Sequence, residues 1–384
     1  MPYLESRPQV RALRKQQIRE VADSALGAKD VLAFWFGEAH LPTPEPIRAA
    51  GAAALMAGDT FYTPNLGLPE LRQDIGSYLS RWHRPIPADR IVVTSSGVSA
   101  LMITLEAIVG PGDSVVAVTP VWPNLCEIPK ILSAEVISVP LQFGSQGWQL
   151  DLDRLIDTIN PGVTALVINS PNNPTGWTLS RPEQEAILAR CRATGTWLIA
   201  DDVYERFYFH AACAPSFLDI VDASDRFIAC NSFSKAWRMT GWRIGWAVVP
   251  EELIASYAKL MEYNTSCVPR FVQSAARVAL TKCEADVSHL VAEVKANQER
   301  LYQRLSSVDR VELGTPAPGG MYAFFRIRGL DDSLAFCKRL VAQARVGLAP
   351  GSAFGDDSRE FVRWCIATDP GKLEAGLDRF VSHL

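Results

Sequence analysis

Phe227-Ile228-Ala229-Cys230-Asn231-Ser232-Phe233-Ser234-Lys235 is the stretch on which the reading of the fold turns. Its apolar start, Phe227 to Cys230, reads as a strand buried on both faces, because a strand covered on both sides needs no polar alternation. It ends in hydroxyls and one primary amine, then runs past Arg238 into Thr240-Gly241-Trp242-Arg243-Ile244-Gly245. That order places Lys235 where a strand of a parallel sheet opens to a site, beyond its carboxyl end. A lysine there, with Ser232 and Ser234 before it and Arg238 and Arg243 after it, is suited to holding an aldehyde cofactor as an imine. Neighbouring cations keep such an amine unprotonated and nucleophilic. A pentapeptide alone is better explained as a surface Ser-Lys loop, so the reading depends on its companions.

Outward from Lys235 the same pattern repeats. Apolar, β-branched runs at Ile91-Thr94, Val115-Thr119, Val136-Pro140, Val163-Asn169, Trp197-Asp201, Phe227-Asn231 and Ile244-Val249 alternate with helical stretches. Such alternation predicts an α/β domain with a mostly parallel, seven-stranded sheet between helices. After Leu280 the sequence predicts a helix at 285–305, a strand at 321–327, a helix at 333–344, strands at 346–350 and 361–368, and a last helix from Pro370. This is the pattern of a smaller α+β domain. The expected division is an N-terminal arm with part of the small domain at 1–45, a large domain at 46–280 and a small C-terminal domain at 281–384. The Pro-rich Leu41-Pro46 segment marks the crossing between them.

The companions are specific. Ser96-Gly97-Val98 follows the run at Ile91, Asn169-Ser170-Pro171-Asn172-Asn173-Pro174-Thr175-Gly176 follows the run at Val163, and Asp201-Asp202-Val203-Tyr204 closes the run at Trp197. In this order and spacing the set resembles the class I/II aminotransferases, fold-type-I enzymes that use pyridoxal 5'-phosphate. The resemblance covers nearly the whole chain.

The resemblance implies roles. Lys235 holds the cofactor and moves a proton, Asp201 pairs with its ring nitrogen, and Tyr204 with Asn173 bonds the ring hydroxyl. Strand alternation sends the rival Asp202 to the other face. Ser96, Gly97 and Val98, at the start of a helix predicted over 99–109, bind the phosphate with Ser232 and with Arg243, eight residues past the lysine. Trp122 stacks on the ring. Tyr62 reaches the phosphate of a neighbouring subunit, which implies a homodimer with shared sites. Gly37 and Asn173 lie near the substrate. Arg363, an arginine amid apolar neighbours, grips its carboxylate with two parallel bonds; its rival reading is a salt bridge to Glu360. The family pattern also implies cis peptide bonds at Thr119-Pro120 and Asn173-Pro174.

Composition sets the remaining bounds. At 384 residues, 48% apolar and 21% charged, the chain has the make-up of a two-domain globular enzyme. A net charge of -4 gives no bulk attraction to nucleic acid or anionic membrane. The eight cysteines form no CxxC pair and the five histidines show no ligand spacing, so no metal is expected and a reducing, cytoplasmic setting is. No apolar run is long enough to span a membrane or to form a signal-peptide core. Val10, Leu13, Ile18, Val21 and Ala25 recur near helical spacing, the mark of an amphipathic arm that packs on the body or on a second subunit.

The expected reaction is transfer of an amino group from an amino acid to a 2-oxo acid by a ping-pong cycle. The stretch Leu260-Pro269 holds no lysine or arginine, and Trp35, Phe36 and Trp122 are aromatic, so neutral or aromatic donors are favoured. The alternative on the same fold is a β-lyase or other α-carbon chemistry. A regulator's sensing domain would need a DNA-binding module ahead of it, and only about thirty residues precede Phe34. A nicotinamide enzyme would need a glycine fingerprint that Gly110 and Gly112, following a helix, do not form.

Overall fold

The computed structural model describes residues 5–384. All seven apolar runs form strands, and all seven join one sheet in the order Ile91–Thr94, Gly245–Val248, Phe227–Ser232, Trp197–Asp201, Ala165–Asn169, Ser114–Thr119, Glu135–Pro140. Gly245–Val248 runs antiparallel to both its neighbours, and every other pair is parallel. Alternate side chains divide between two cores. Ile91, Val93, Leu198, Ala200, Phe227 and Ala229 face one layer of helices, while Val92, Ile199, Ile228, Cys230 and Ala247 face the other. Burial on both faces is why these strands, the edge strand Glu135–Pro140 excepted, lack polar alternation.

Element ends differ from expectation for local reasons. Val163 N–H is used in a turn to Asn160 O at 2.8 Å, so the strand begins at Ala165. The helix expected from Ser99 begins at Gly97, because the Ser96 hydroxyl accepts the Ser99 N–H at 3.0 Å and caps it. It ends at Ile108.

The second layer is a four-stranded antiparallel sheet in the order Val311–Glu312, Tyr322–Ile327, Phe361–Cys365, Ala349–Pro350. The single strand expected at 346–350 is two: Ala349–Pro350 joins this sheet, whereas Val346–Gly347 pairs in parallel with Leu32–Ala33. The strand from Phe361 stops at Cys365, beyond which Asn297 takes the carbonyls of Ile366 and Thr368 at 3.0 and 2.7 Å. The N-terminal segment packs here too, with Ile18, Val21, Phe34 and Trp35 buried against Phe324, Phe361 and Trp364. All eight cysteines are free. Among the described residues no helix is long and apolar enough to cross a membrane.

Candidate active site

The carboxyl ends of the parallel strands deliver their loops to one cavity of about 490 Å³. Gly37, Gly97, Val98, Trp122, Asn173, Asp201, Tyr204, Ser232, Lys235, Arg243 and Arg363 all line it. Ser96, expected with them, does not line it and is buried, its hydroxyl occupied by the helix cap. Tyr62 stands outside the cavity and is 88% exposed.

Lys235 follows the strand Phe227–Ser232, and its Nζ donates to Gly37 O at 2.6 Å. Burial pushes its pKa down to about 8; Arg363 and Arg243 add to that, while Cys365 and Glu38 oppose it. The lysine thus has the cationic surroundings expected, with one correction. Arg238 turns away to an ion pair with Asp286 at 3.0 Å, and Arg363 takes its place.

Three backbone segments meet beside the lysine. A Cβ on Gly97 would come within 3.0 Å of Ser232 Cβ, and one on Gly245 within 2.6 Å of both Gly97 N and Asn231 O. Glycine at both positions lets the helix start, the Ser232 strand and the Arg243 turn close on one another. Arg243 itself sits at φ 53°, a left-handed position that bends the chain back, and its Nη1 donates to Thr240 O at 2.6 Å. The result is a helix N-terminus with a hydroxyl and a guanidinium beside it, a site for an anion.

Asp201 ends its strand buried, and among the described residues the Val203 N–H at 3.4 Å is the one hydrogen bond to its carboxylate. Burial pushes its pKa up to about 7, against the pull of the Val203 amide and of Lys235. Such a carboxyl is poised for a cationic partner. Asp202 faces away, accepting from Ser216 Oγ at 3.1 Å, as strand alternation requires. Asn169 braces the set: its Nδ2 donates to Asp201 O at 2.9 Å and its Oδ1 accepts the Asn173 N–H at 2.7 Å. Asn173 Nδ2 then donates to the Tyr204 hydroxyl at 3.4 Å. The Thr119–Pro120 and Asn173–Pro174 bonds are cis, as is Ser170–Pro171.

Arg363 is 2% exposed at the centre of its strand. Its Nη1 donates to Asn173 Oδ1 at 2.8 Å and its Nη2 to Trp35 O, while Nε has no partner among the described residues. The rings of Tyr322 and Phe354 lie 4.2 and 4.8 Å from the guanidinium carbon. Among the described residues no carboxylate pairs with it, and Glu360 is engaged with Arg326 at 3.1 Å. A buried cation without a counter-ion is costly unless an anion visits it.

Residues 31–380 match the profile of the family described as aminotransferase class I and II. The chain belongs to that family. It is an aminotransferase, and its relatives include the aspartate aminotransferase of Thermotoga maritima, 34% identical over 358 residues, 93% of this chain and 92% of that protein. Aromatic-amino-acid aminotransferase 2 of Thermococcus litoralis is 30% identical over 373 residues, 94% of each chain. The crystal structure of the Thermotoga maritima aspartate aminotransferase has a TM-score of 0.91 at 31% identity, covering 99% of both chains. Enzymes of this class use pyridoxal phosphate.

Several residues of this aminotransferase's cavity carry no sequence signal of their own. Tyr322 shares a hydrogen with the Tyr204 hydroxyl at 2.7 Å, yet it sits in a strand whose pattern speaks only of packing. Gln16, Ile18 and Arg19 bring the N-terminal arm into the cavity wall, and the Arg19 guanidinium lies 5.4 Å from the Phe36 ring. The arm's helical spacing predicts its packing but not this reach. Asn169, the bridge between two loops, reads in sequence as the last residue of a strand.

Proposed function

We propose that Lys235 carries pyridoxal 5'-phosphate and that the cavity transfers an amino group from an amino acid to a 2-oxo acid in two half-reactions. The donor set fits the group. A glycine-lined helix start with Ser232 and Arg243 suits a phosphate, an isolated buried carboxyl at Asp201 suits a protonated ring nitrogen, and Trp122 offers an apolar face to the ring. When bound, the cofactor supplies an electron sink conjugated to the substrate α-carbon.

In this reading the amides of Ser96, Gly97 and Val98, with Ser232 and Arg243, hold the phosphate. Asp201 keeps the ring nitrogen protonated, and Tyr204 and Asn173 bond the ring hydroxyl. Arg363, with the Asn173 side chain and Gly37 beside it, fixes the substrate carboxylate, so that the α-hydrogen faces the Lys235 amine. A lysine whose pKa lies near 8 is well matched to taking that proton and returning it. The observation that carries the proposal is the meeting of Lys235, Asp201 and Arg363 in one cavity, the arginine buried without a carboxylate.

The working form is a homodimer in which Tyr62 of a second copy completes the phosphate site. Support comes from Phe61, Tyr62 and Tyr263, which are 81%, 88% and 89% exposed. Their segments are joined by Asn65 Nδ2 donating to Glu262 Oε2 at 2.8 Å. Eight free thiols are in keeping with a reducing, cytoplasmic setting. For specificity, Phe36, Trp122, Leu101 and Val203 line the cavity and Arg270 is engaged with Asp59, so neutral and aromatic donors are favoured.

Single-turnover reactions over a panel of amino acids, with no oxo acid present, test the proposal. One 2-oxo acid should leave per chain while the nitrogen stays on the protein, fastest for neutral and aromatic donors. Repeated release of pyruvate and ammonia would overturn it in favour of elimination. Aspartate or glutamate outpacing every neutral and aromatic donor would overturn the specificity alone and direct attention to Arg19.

A further inference from the structure

Outside the cavity, three side chains from distant parts of the chain converge. His83 follows the helix Pro69–Leu79, Glu205 is the residue after Tyr204, and Cys213 lies in the loop before the short helix Phe217–Asp219. His83 Nε2 lies 3.6 Å from Glu205 Oε2 and 3.7 Å from Cys213 Sγ, and the three ligand atoms all lie within 4.8 Å of one another. The other ring nitrogen, Nδ1, is 2.9 Å from Asp219 Oδ1, and Asp219 is itself held by Arg181. Glu205 is 3% exposed, and its Oε2, 3.6 Å from His83 Nε2, has no hydrogen-bond partner among the described residues.

We propose that His83 Nε2, a Glu205 oxygen and the Cys213 thiolate form a zinc site, with water in the fourth position. Zinc bound at about 2.0–2.1 Å to nitrogen and oxygen and about 2.3 Å to sulfur has tetrahedral N···O and N···S edges of roughly 3.4 and 3.6 Å. The separations of 3.6 and 3.7 Å need only small movements to match. Mixed nitrogen, oxygen and sulfur donors select a borderline-soft metal over magnesium or calcium, which take oxygen alone. Asp219 stands where a metal-bound imidazole places its outer acceptor: its Oδ1 lies 2.9 Å from Nδ1, which leaves Nε2 facing Glu205 and Cys213.

Charge favours the same occupant. Glu205, Asp202 and Asp219 surround one imidazole; Arg181 offsets Asp219 and Arg206 is paired with Glu284, so among the described residues Glu205 and Asp202 face His83 without a guanidinium partner of their own. Imidazole and thiol bind zinc in their deprotonated forms, so the Cys213 thiol proton and any proton on His83 Nε2 leave to solvent as the metal enters. The site would then tie the turn carrying Asp201 and Tyr204 to the end of the helix Pro69–Leu79 and leave the reacting groups untouched.

Titration of the reduced holoenzyme with cobalt(II) tests the inference, because a cobalt–thiolate bond gives a charge-transfer band in the near ultraviolet. One cobalt per chain should bind with that band, and zinc should displace it. The band should vanish in Cys213→Ser, which retains aminotransferase activity and so reports on folded protein, and binding should fall at least tenfold in His83→Gln. Zinc should raise the thermal midpoint of the native protein and not that of Cys213→Ser. Absence of the band in the native protein overturns the site, and so does a band that persists in Cys213→Ser.

Discussion

Arg363 Nη1 and Asn173 Oδ1 meet at 2.8 Å, bringing a strand of the small antiparallel sheet onto a loop of the large parallel one. The two residues are 190 positions apart, and their contact defines the floor on which a substrate carboxylate would rest. A charged hydrogen bond contributes about 1.5–3 kcal/mol, so loss of a two-bond grip should cost roughly 10²- to 10⁴-fold in kcat/KM. Arg363→Ala should lose that much for donors and acceptors alike while keeping its cofactor. Arg363→Lys should recover only part, because an ammonium keeps the charge without the planar fork. Steady-state kinetics of both half-reactions would check this, and near-native values for either variant would remove Arg363 from the site.

Gly37 and Tyr322 predict a rescue. A Cβ at Gly37 would overlap the Tyr322 hydroxyl and stand 3.0 Å from its ring carbon, on the same side as the Lys235 amine. Gly37→Ala should therefore lower kcat/KM by about tenfold or more, and adding Tyr322→Phe should restore part of it, a coupling a double-mutant cycle can measure. Strictly additive losses would show that the clash does not govern the defect.

The two adjacent carboxyls should separate cleanly. Asp201→Asn should leave the cofactor bound yet slow α-proton removal by roughly 10²-fold or more, since an unprotonated ring is a poor electron sink. Asp202→Asn, on the opposite face beside Ser216, should stay within about threefold of the native rate and lose stability instead. Deuterium exchange at the substrate α-carbon reads the first effect, and chemical denaturation the second.

The strands of the large sheet were legible because each is a short apolar run, six of the seven buried on both faces and only the edge strand Glu135–Pro140 partly exposed, and most site residues lie at or just past their ends. What was not legible came from contacts that no local pattern encodes. Tyr322 touches Tyr204 only because a Gly319-Gly320 turn presses its strand onto the Phe207 backbone, where a Cβ on Gly319 would come within 2.5 Å of Phe207 O. Arg238 and Arg243 looked alike beside Lys235, yet Asp286 on the helix Glu284–Leu305 draws one of them away. His83, Glu205 and Cys213 lack any ligand spacing, since separate loops supply them. Two-residue strands such as Leu32–Ala33 are set by a partner, Val346–Gly347, more than 300 residues away.

The state of the Lys235 amine gives a prediction in pH. Its pKa is lowered to about 8, so in cofactor-free protein the neutral amine is a minority below pH 8 and dominates above it. The rate of pyridoxal phosphate attachment should therefore climb about tenfold per pH unit up to pH 8 and then level off. An ordinary lysine would go on climbing toward its usual value of 10.5. Stopped-flow absorbance would separate the two profiles, and a rise continuing past pH 9 would show that burial does not lower this amine's pKa.

The central claim, that Lys235 carries the cofactor, is tested most directly by reducing the purified holoenzyme with borohydride and mapping the labelled peptide. The account predicts a single adduct on Lys235, and no adduct in Lys235→Ala. An adduct on any other lysine, or one that persists in Lys235→Ala, would contradict it.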